Sequence, residues 1–164
     1  MYPLLNLLFA PGVIIHELSH ALFCLFAGVK IYKIRLFQFG RVAGYVTHGE
    51  PAKFYQCWLV SFGPIFINSF VSLLCFSQFV PPYARWQPLL LLWLGVAAGL
   101  HAIPSDGDAK SLLATINGRV LRNPFLIIGY PLVALLYLLN FFKRLHVDFL
   151  YTGLLFWLGA YYLK

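Results

Sequence analysis

The run His16-Glu17-Leu18-Ser19-His20 holds the residue types, at the spacing, from which a hydrolytic metal site is built. On a helix, positions i and i+4 lie on one face a turn apart. Two imidazoles side by side in this way suit a tetrahedral zinc ion. Glu17, next in sequence to His16, supplies a carboxylate that can take a proton from water attacking a carbonyl, the role of a general base. The chain has five histidines and two glutamates, so a random shuffle yields roughly 0.002 matches to this pattern.

A catalytic zinc needs three protein ligands and one open position. The acidic residues are Glu17, Glu50, Asp106, Asp108 and Asp148. Two of them sit close together in His101-Ala102-Ile103-Pro104-Ser105-Asp106-Gly107-Asp108, which makes Asp106 and Asp108 the candidates for the third ligand. The aspartate left over would favour a helix N-terminus with Ser105 as N-cap. His101 reads better as an outer partner that orients a ligand than as a ligand itself. Cys24, one turn after His20, reads as a packing residue, and the three cysteines form no CxxC pair.

These residues must be positioned by membrane helices. Hydrophobic residues make up 61% of the chain and charged residues 10%, against roughly 45–50% and 25% for a soluble domain. Five apolar segments stand out, at about Leu4–Ala27, Gln56–Val80, Pro88–Ile103, Pro124–Phe142 and Phe149–Leu163. The first, second and fourth approach the roughly 20 residues that span hydrocarbon; the third and fifth are short. Pro11-Gly12 is expected to kink the first segment about one turn before His16. The pattern predicts an all-α polytopic membrane protein of about five transmembrane helices, forming one domain over residues 1–164. No basic region precedes the first apolar run, so a cleaved signal peptide is not expected.

The net charge of +7 lies in loops, which argues for membrane orientation and against a nucleic-acid partner. With five spans, the first and third loops share a side with the C-terminus, and that side carries nine basic residues against three. Basic loops face the cytoplasm. The N-terminus is therefore expected outside, with loops one and three inside. In loop one, Lys30–Leu36 alternates with period two, and Gly40 and Gly44 precede Tyr45-Val46-Thr47, which predicts a surface hairpin. Its exposed edge offers a docking strand for an extended peptide. Cleavage that survives loss of the strand would remove that role.

Three motifs in order carry a resemblance. HExxH in the first apolar segment, Gly63-Pro64-Ile65-Phe66-Ile67-Asn68 in the second and the Pro104–Asp108 stretch after the third together resemble the site-2 protease family of intramembrane metalloproteases, over roughly residues 4–118. The resemblance implies one zinc ion held by His16, His20 and an aspartate, with Glu17 catalytic. Leu-Asp-Gly of the family selects Asp106; His-Ala-x-Pro-Ser-x-x-Asp of its small members selects Asp108, which is favoured. It further implies that Asn68 contacts the substrate backbone or the oxyanion, the alternative being an interhelical hydrogen bond. The implied partners are a membrane-protein substrate helix and the lipid bilayer. The rival class is a non-catalytic membrane metal-binding or transport protein, because intramembrane ionisable groups also mark ion pathways.

Overall fold

The computed structural model describes residues 3–39, 43–79, 86–143 and 145–163. Gly40, Arg41, Arg85, Arg144 and Lys164, used above for the hairpin or the charge balance, lie outside these residues.

The first apolar segment is two helices. α1 (Pro3–Leu8) ends, Phe9 turns, and α2 (Ala10–Ala27) begins with Pro11 in its first turn. Proline is tolerated there because its missing N–H would have no intrahelical acceptor. The irregularity expected at Pro11-Gly12 is thus a helix start, and His16, Glu17 and His20 lie on the new helix. A two-stranded antiparallel hairpin follows, β1 (Ile31–Arg35) with β2 (Tyr45–His48), as the alternation predicts. Its register shifts between Ile31 and Lys33. Then come α3 (Phe54–Ser77), α4 (Trp86–Leu100), α5 (Asp106–Asn117), a short 3-10 turn (Pro124–Ile128), α6 (Gly129–Lys143) and α7 (Val147–Tyr162).

Three of these stretches are long and apolar enough to cross a membrane: Ala10–Ala27, Phe54–Ser77 and Pro124–Lys143. The 15 residues of α4 and 16 of α7 reach only about 23–24 Å at 1.5 Å per residue, short of the ~30 Å hydrocarbon core. The outward faces are apolar: Leu22, Leu25 and Phe26 on α2, Phe66, Phe70 and Leu74 on α3, and Leu150 and Leu154 on α7 are all exposed. Surface of this kind would aggregate in water and is matched by lipid.

α3 is the hub, packing on α2, α4, α5 and α7. One core cluster joins Cys57 and Phe62 of α3 to Ala109, Leu112 and Ile116 of α5 and Val133 and Leu136 of α6. A second joins Cys24 and Ala27 of α2 to Val60 of α3, so Cys24 packs as expected. α2 meets α4 through Gly12: a Cβ there would collide with the Ala97 carbonyl and come within 2.7 Å of His101 Nδ1. Only a residue without a side chain permits that approach, in the manner of small-residue contacts between membrane helices. It occurs one turn before His16 and brings the end of α4 to the motif.

Candidate metal centre

His16 and His20 lie on one face of α2, as their spacing requires, and their Nε2 atoms are 3.2 Å apart. Asp108, in the first turn of α5, reaches the same point from the other side, with Oδ1 3.3 Å from His20 Nε2. One donor atom from each of the three residues lies within 4.8 Å of the others. Asp106 is exposed on the outer side of the same turn and does not join them.

Each imidazole is oriented by a carbonyl that a helix irregularity has released. His16 Nδ1 donates to the backbone oxygen of His101 at 2.6 Å. That residue follows the last residue of α4, where carbonyls lose their intrahelical partners. His20 Nδ1 donates to the backbone oxygen of Val60 at 2.8 Å. Val60 lies four residues before Pro64, which sits inside α3. A proline has no N–H to return to the carbonyl four residues earlier, so Val60 is left free to accept from His20. In the sequence Pro64 stands out only as part of the Gly63–Asn68 motif. The signal for its role was available: a proline inside an apolar helix releases a specific carbonyl. His101 is the expected outer partner, but through its main chain; its ring donates from Nδ1 to Ala97 O at 2.9 Å.

Asp108 is held by a capping box. Its Oδ2 accepts from the Ser105 backbone N–H at 2.7 Å and from Ser105 Oγ at 2.8 Å, which leaves Oδ1 for His20. The two tasks expected of different aspartates coincide in position at Asp108: Oδ2 caps the turn and Oδ1 lies beside His20 Nε2, while Asp106 does neither. Burial opposes its charge, but neighbouring His20 and the Ser105 hydrogen bond hold its pKa below the ordinary carboxylate range. Lys143, at the end of α6, donates from Nζ to Ile103 O at 2.7 Å. It thereby ties down the middle of the segment whose two ends orient His16 and hold Asp108.

Glu17 is buried at 8% exposure. The hairpin lies directly on it: a Cβ on Gly44 would come within 2.7 Å of Glu17 Cγ. Glycine at the entry to β2 is what lets the hairpin backbone close over this carboxylate. Asn68 is fully buried. Its Nδ2 is 3.2 Å from both Gly12 O of α2 and Ala98 O of α4. Its Oδ1 lies 3.4 Å from Ser19 Oγ. In this arrangement its polar atoms fasten α2, α3 and α4 to one another.

The donor set fits zinc. Ligands at ~2.1 Å in a tetrahedron stand about 3.4 Å apart, close to the 3.2 Å and 3.3 Å separations of His20 from His16 and from Asp108, and all three donors lie within 4.8 Å. With both Nδ1 atoms donating to carbonyls, neutral imidazoles turn two lone pairs toward each other and toward a carboxylate. Such a cluster of acceptors could hold a cation among them.

One consequence is measurable. Alanine at position 64 restores an N–H that competes for Val60 O, and His20 loses its anchor. Pro64→Ala is expected to weaken zinc retention by about 10–100-fold while the thermal midpoint stays level or rises. Chelator competition beside a melting curve checks this; unchanged retention would show that Val60 O does not orient His20.

No curated protein and no solved structure matches the chain closely enough for comparison. The model of one protein family, Peptidase M50B-like, matches residues 2–103. That stretch contains the HExxH helix, the hairpin, α3 and α4, and stops five residues before Asp108. On this match over more than half of its length, and with the motif helix, Pro64 and the end of α4 gathered at one point, the chain belongs to the Peptidase M50B-like family.

Proposed function

We propose that this chain is an intramembrane zinc metalloprotease, acting as one membrane-embedded domain on a peptide bond in or near the transmembrane segment of another membrane protein. The observation that carries this reading is the convergence of His16, His20 and Asp108 beside a buried carboxylate, Glu17, that is not among the three converging residues. His16 and His20 would hold the metal through Nε2, kept in the right tautomer by His101 O and Val60 O, and Asp108 through Oδ1. A zinc ion held there would supply Lewis acidity, which makes water a better nucleophile and polarises a carbonyl. Glu17 takes the proton from the attacking water and returns it to the leaving amine. The hairpin closing on Glu17 limits water at that carboxylate, and Asn68 holds the three helices that carry the site in register. A substrate helix hides its amides in internal hydrogen bonds, so the target segment must unwind before it can be cut.

The proposed orientation has the N-terminus outside and loops one and three in the cytoplasm. It is supported by the excess of basic residues in those loops. It is also supported by their proximity: His48–Pro51 of loop one and Ser111, Thr115 and Arg119 of loop three line a common cleft.

The reading is tested with the full chain purified in detergent and a panel of single-span membrane proteins. Cleavage that is abolished by a zinc chelator and restored by stoichiometric zinc is the expected result. Protein that binds one zinc per chain and cleaves no member of a broad panel would favour a metal-binding or transport role. Protein that binds no zinc removes the site as drawn.

A further inference from the structure

A cleft of about 420 Å³ lies apart from the histidines, between the exit of the hairpin and one face of α5. His48, Glu50 and Pro51 form one wall; Ser111, Thr115 and Arg119 form the other. This volume is in the range of small-molecule sites, well above what a bare ion needs.

Two charges stand in this cleft uncompensated. Arg119 Nη1 is buried and has no hydrogen-bond partner among the described residues. A buried guanidinium N–H in that condition costs free energy and calls for an acceptor that the described residues do not provide. Glu50 is exposed on the opposite wall. Among the described residues the ion pair within 4 Å is His20–Asp108, so Arg119 and Glu50 are bridged neither to each other nor to any other described residue. The cleft therefore offers one cationic and one anionic anchor on opposite walls, with Ser111 and Thr115 also lining it.

Its depth relative to the membrane follows from chain position. Pro51 is three residues before Phe54, where one candidate span begins, and Arg119 is five residues before Pro124, where another begins. Both walls thus stand at the mouths of spans, in the layer where lipid headgroups lie and where basic pockets take phosphate groups.

We propose that this cleft binds a phosphate ester that also carries an ammonium group, the phosphoethanolamine headgroup being the form that fits. The phosphate accepts from Arg119, whose planar fork matches phosphate oxygens. The ammonium faces Glu50. Ser111 and Thr115 follow Asp108 on α5 at steps of three and four residues and Arg119 lies just past the end of that helix, so an occupant braces the helix that presents Asp108 and ties it to the hairpin that closes on Glu17. The inference does not rest on the protease reading, since its test reads binding alone.

The experiment is a thermal-unfolding titration of the full chain in detergent with phosphatidylethanolamine, phosphatidylglycerol and free O-phosphoethanolamine. Phosphatidylethanolamine is expected to raise the midpoint at lower concentration than phosphatidylglycerol. Arg119→Gln is expected to weaken that response by about tenfold or more, the worth of a charge-assisted pair. Glu50→Gln, at an exposed position that should fold normally, is expected to erase the preference between the two lipids. A response to free O-phosphoethanolamine that Arg119→Gln also weakens supports the site and identifies a soluble ligand; a response confined to the lipid supports it and identifies the bilayer as the source. Equal responses of wild type and Arg119→Gln to every probe, or phosphatidylglycerol matching phosphatidylethanolamine on the wild type, overturn the proposal.

Discussion

Glu17→Gln is expected to retain zinc and to lose peptide-bond cleavage by a factor of about 100 to 10,000, the range for removing a general base. The two side chains are nearly isosteric, so the 8% exposed position is refilled without a cavity. Glutamine is neutral and cannot accept a proton from water. Glu17 is also absent from the set His16, His20 and Asp108 whose donor atoms converge, so the metal should stay. Zinc per chain measured by mass spectrometry, beside single-turnover cleavage of one substrate, separates the two effects. Cleavage that survives in Glu17→Gln would place the base elsewhere. Loss of zinc would make Glu17 a ligand and undo the division of roles drawn here.

The second large effect lies at the third ligand. Asp108→Asn is expected to lose zinc and activity together, while Asp106→Asn keeps both. Asp108 uses its two oxygens for different tasks, Oδ2 for Ser105 and Oδ1 for His20. Asparagine has one oxygen, so it can cap α5 or face the metal but not both, and it brings no negative charge to offset a dication in a partly buried site. The loss should exceed the roughly 10–100-fold that outer-partner changes cost. Asp106 is exposed and outside the cluster, so its amide should be tolerated. The pair is informative because the two aspartates are two positions apart in a single helical turn. Zinc loss in Asp106→Asn with retention in Asp108→Asn would reverse the assignment.

Much of this was legible without coordinates. The i, i+4 spacing on a helix already places two imidazoles together, because the helical repeat is local geometry. Apolar run lengths mark the spans, because hydrocarbon thickness sets the length a helix needs. The period-two run in loop one marks β1, because alternation is a property of the strand itself. The exact break in the first segment was less legible: Pro11 starts a helix as readily as it bends one, and the choice depends on what the freed carbonyls meet. Asn68 could not be read from its motif alone. A polar group in an apolar helix must bond to something, but whether that is a substrate or the neighbouring helices depends on the packing of α2 and α4 around it.

The sequence by itself determined the membrane class, the helix that carries His16, Glu17 and His20, and the short list of two aspartates. Each of these depends on contacts within a few residues or on bulk composition. Only the tertiary structure decided that Asp108 rather than Asp106 meets the histidines, that the carbonyls of Val60 and His101 orient them, and that Gly44 brings the hairpin onto Glu17. Those contacts join residues 27 to 92 positions apart or turn on which side of one helical turn faces inward. They follow from how close α2, α3, α4 and α5 can approach, and small residues such as Gly12 set that distance through packing that no local pattern encodes.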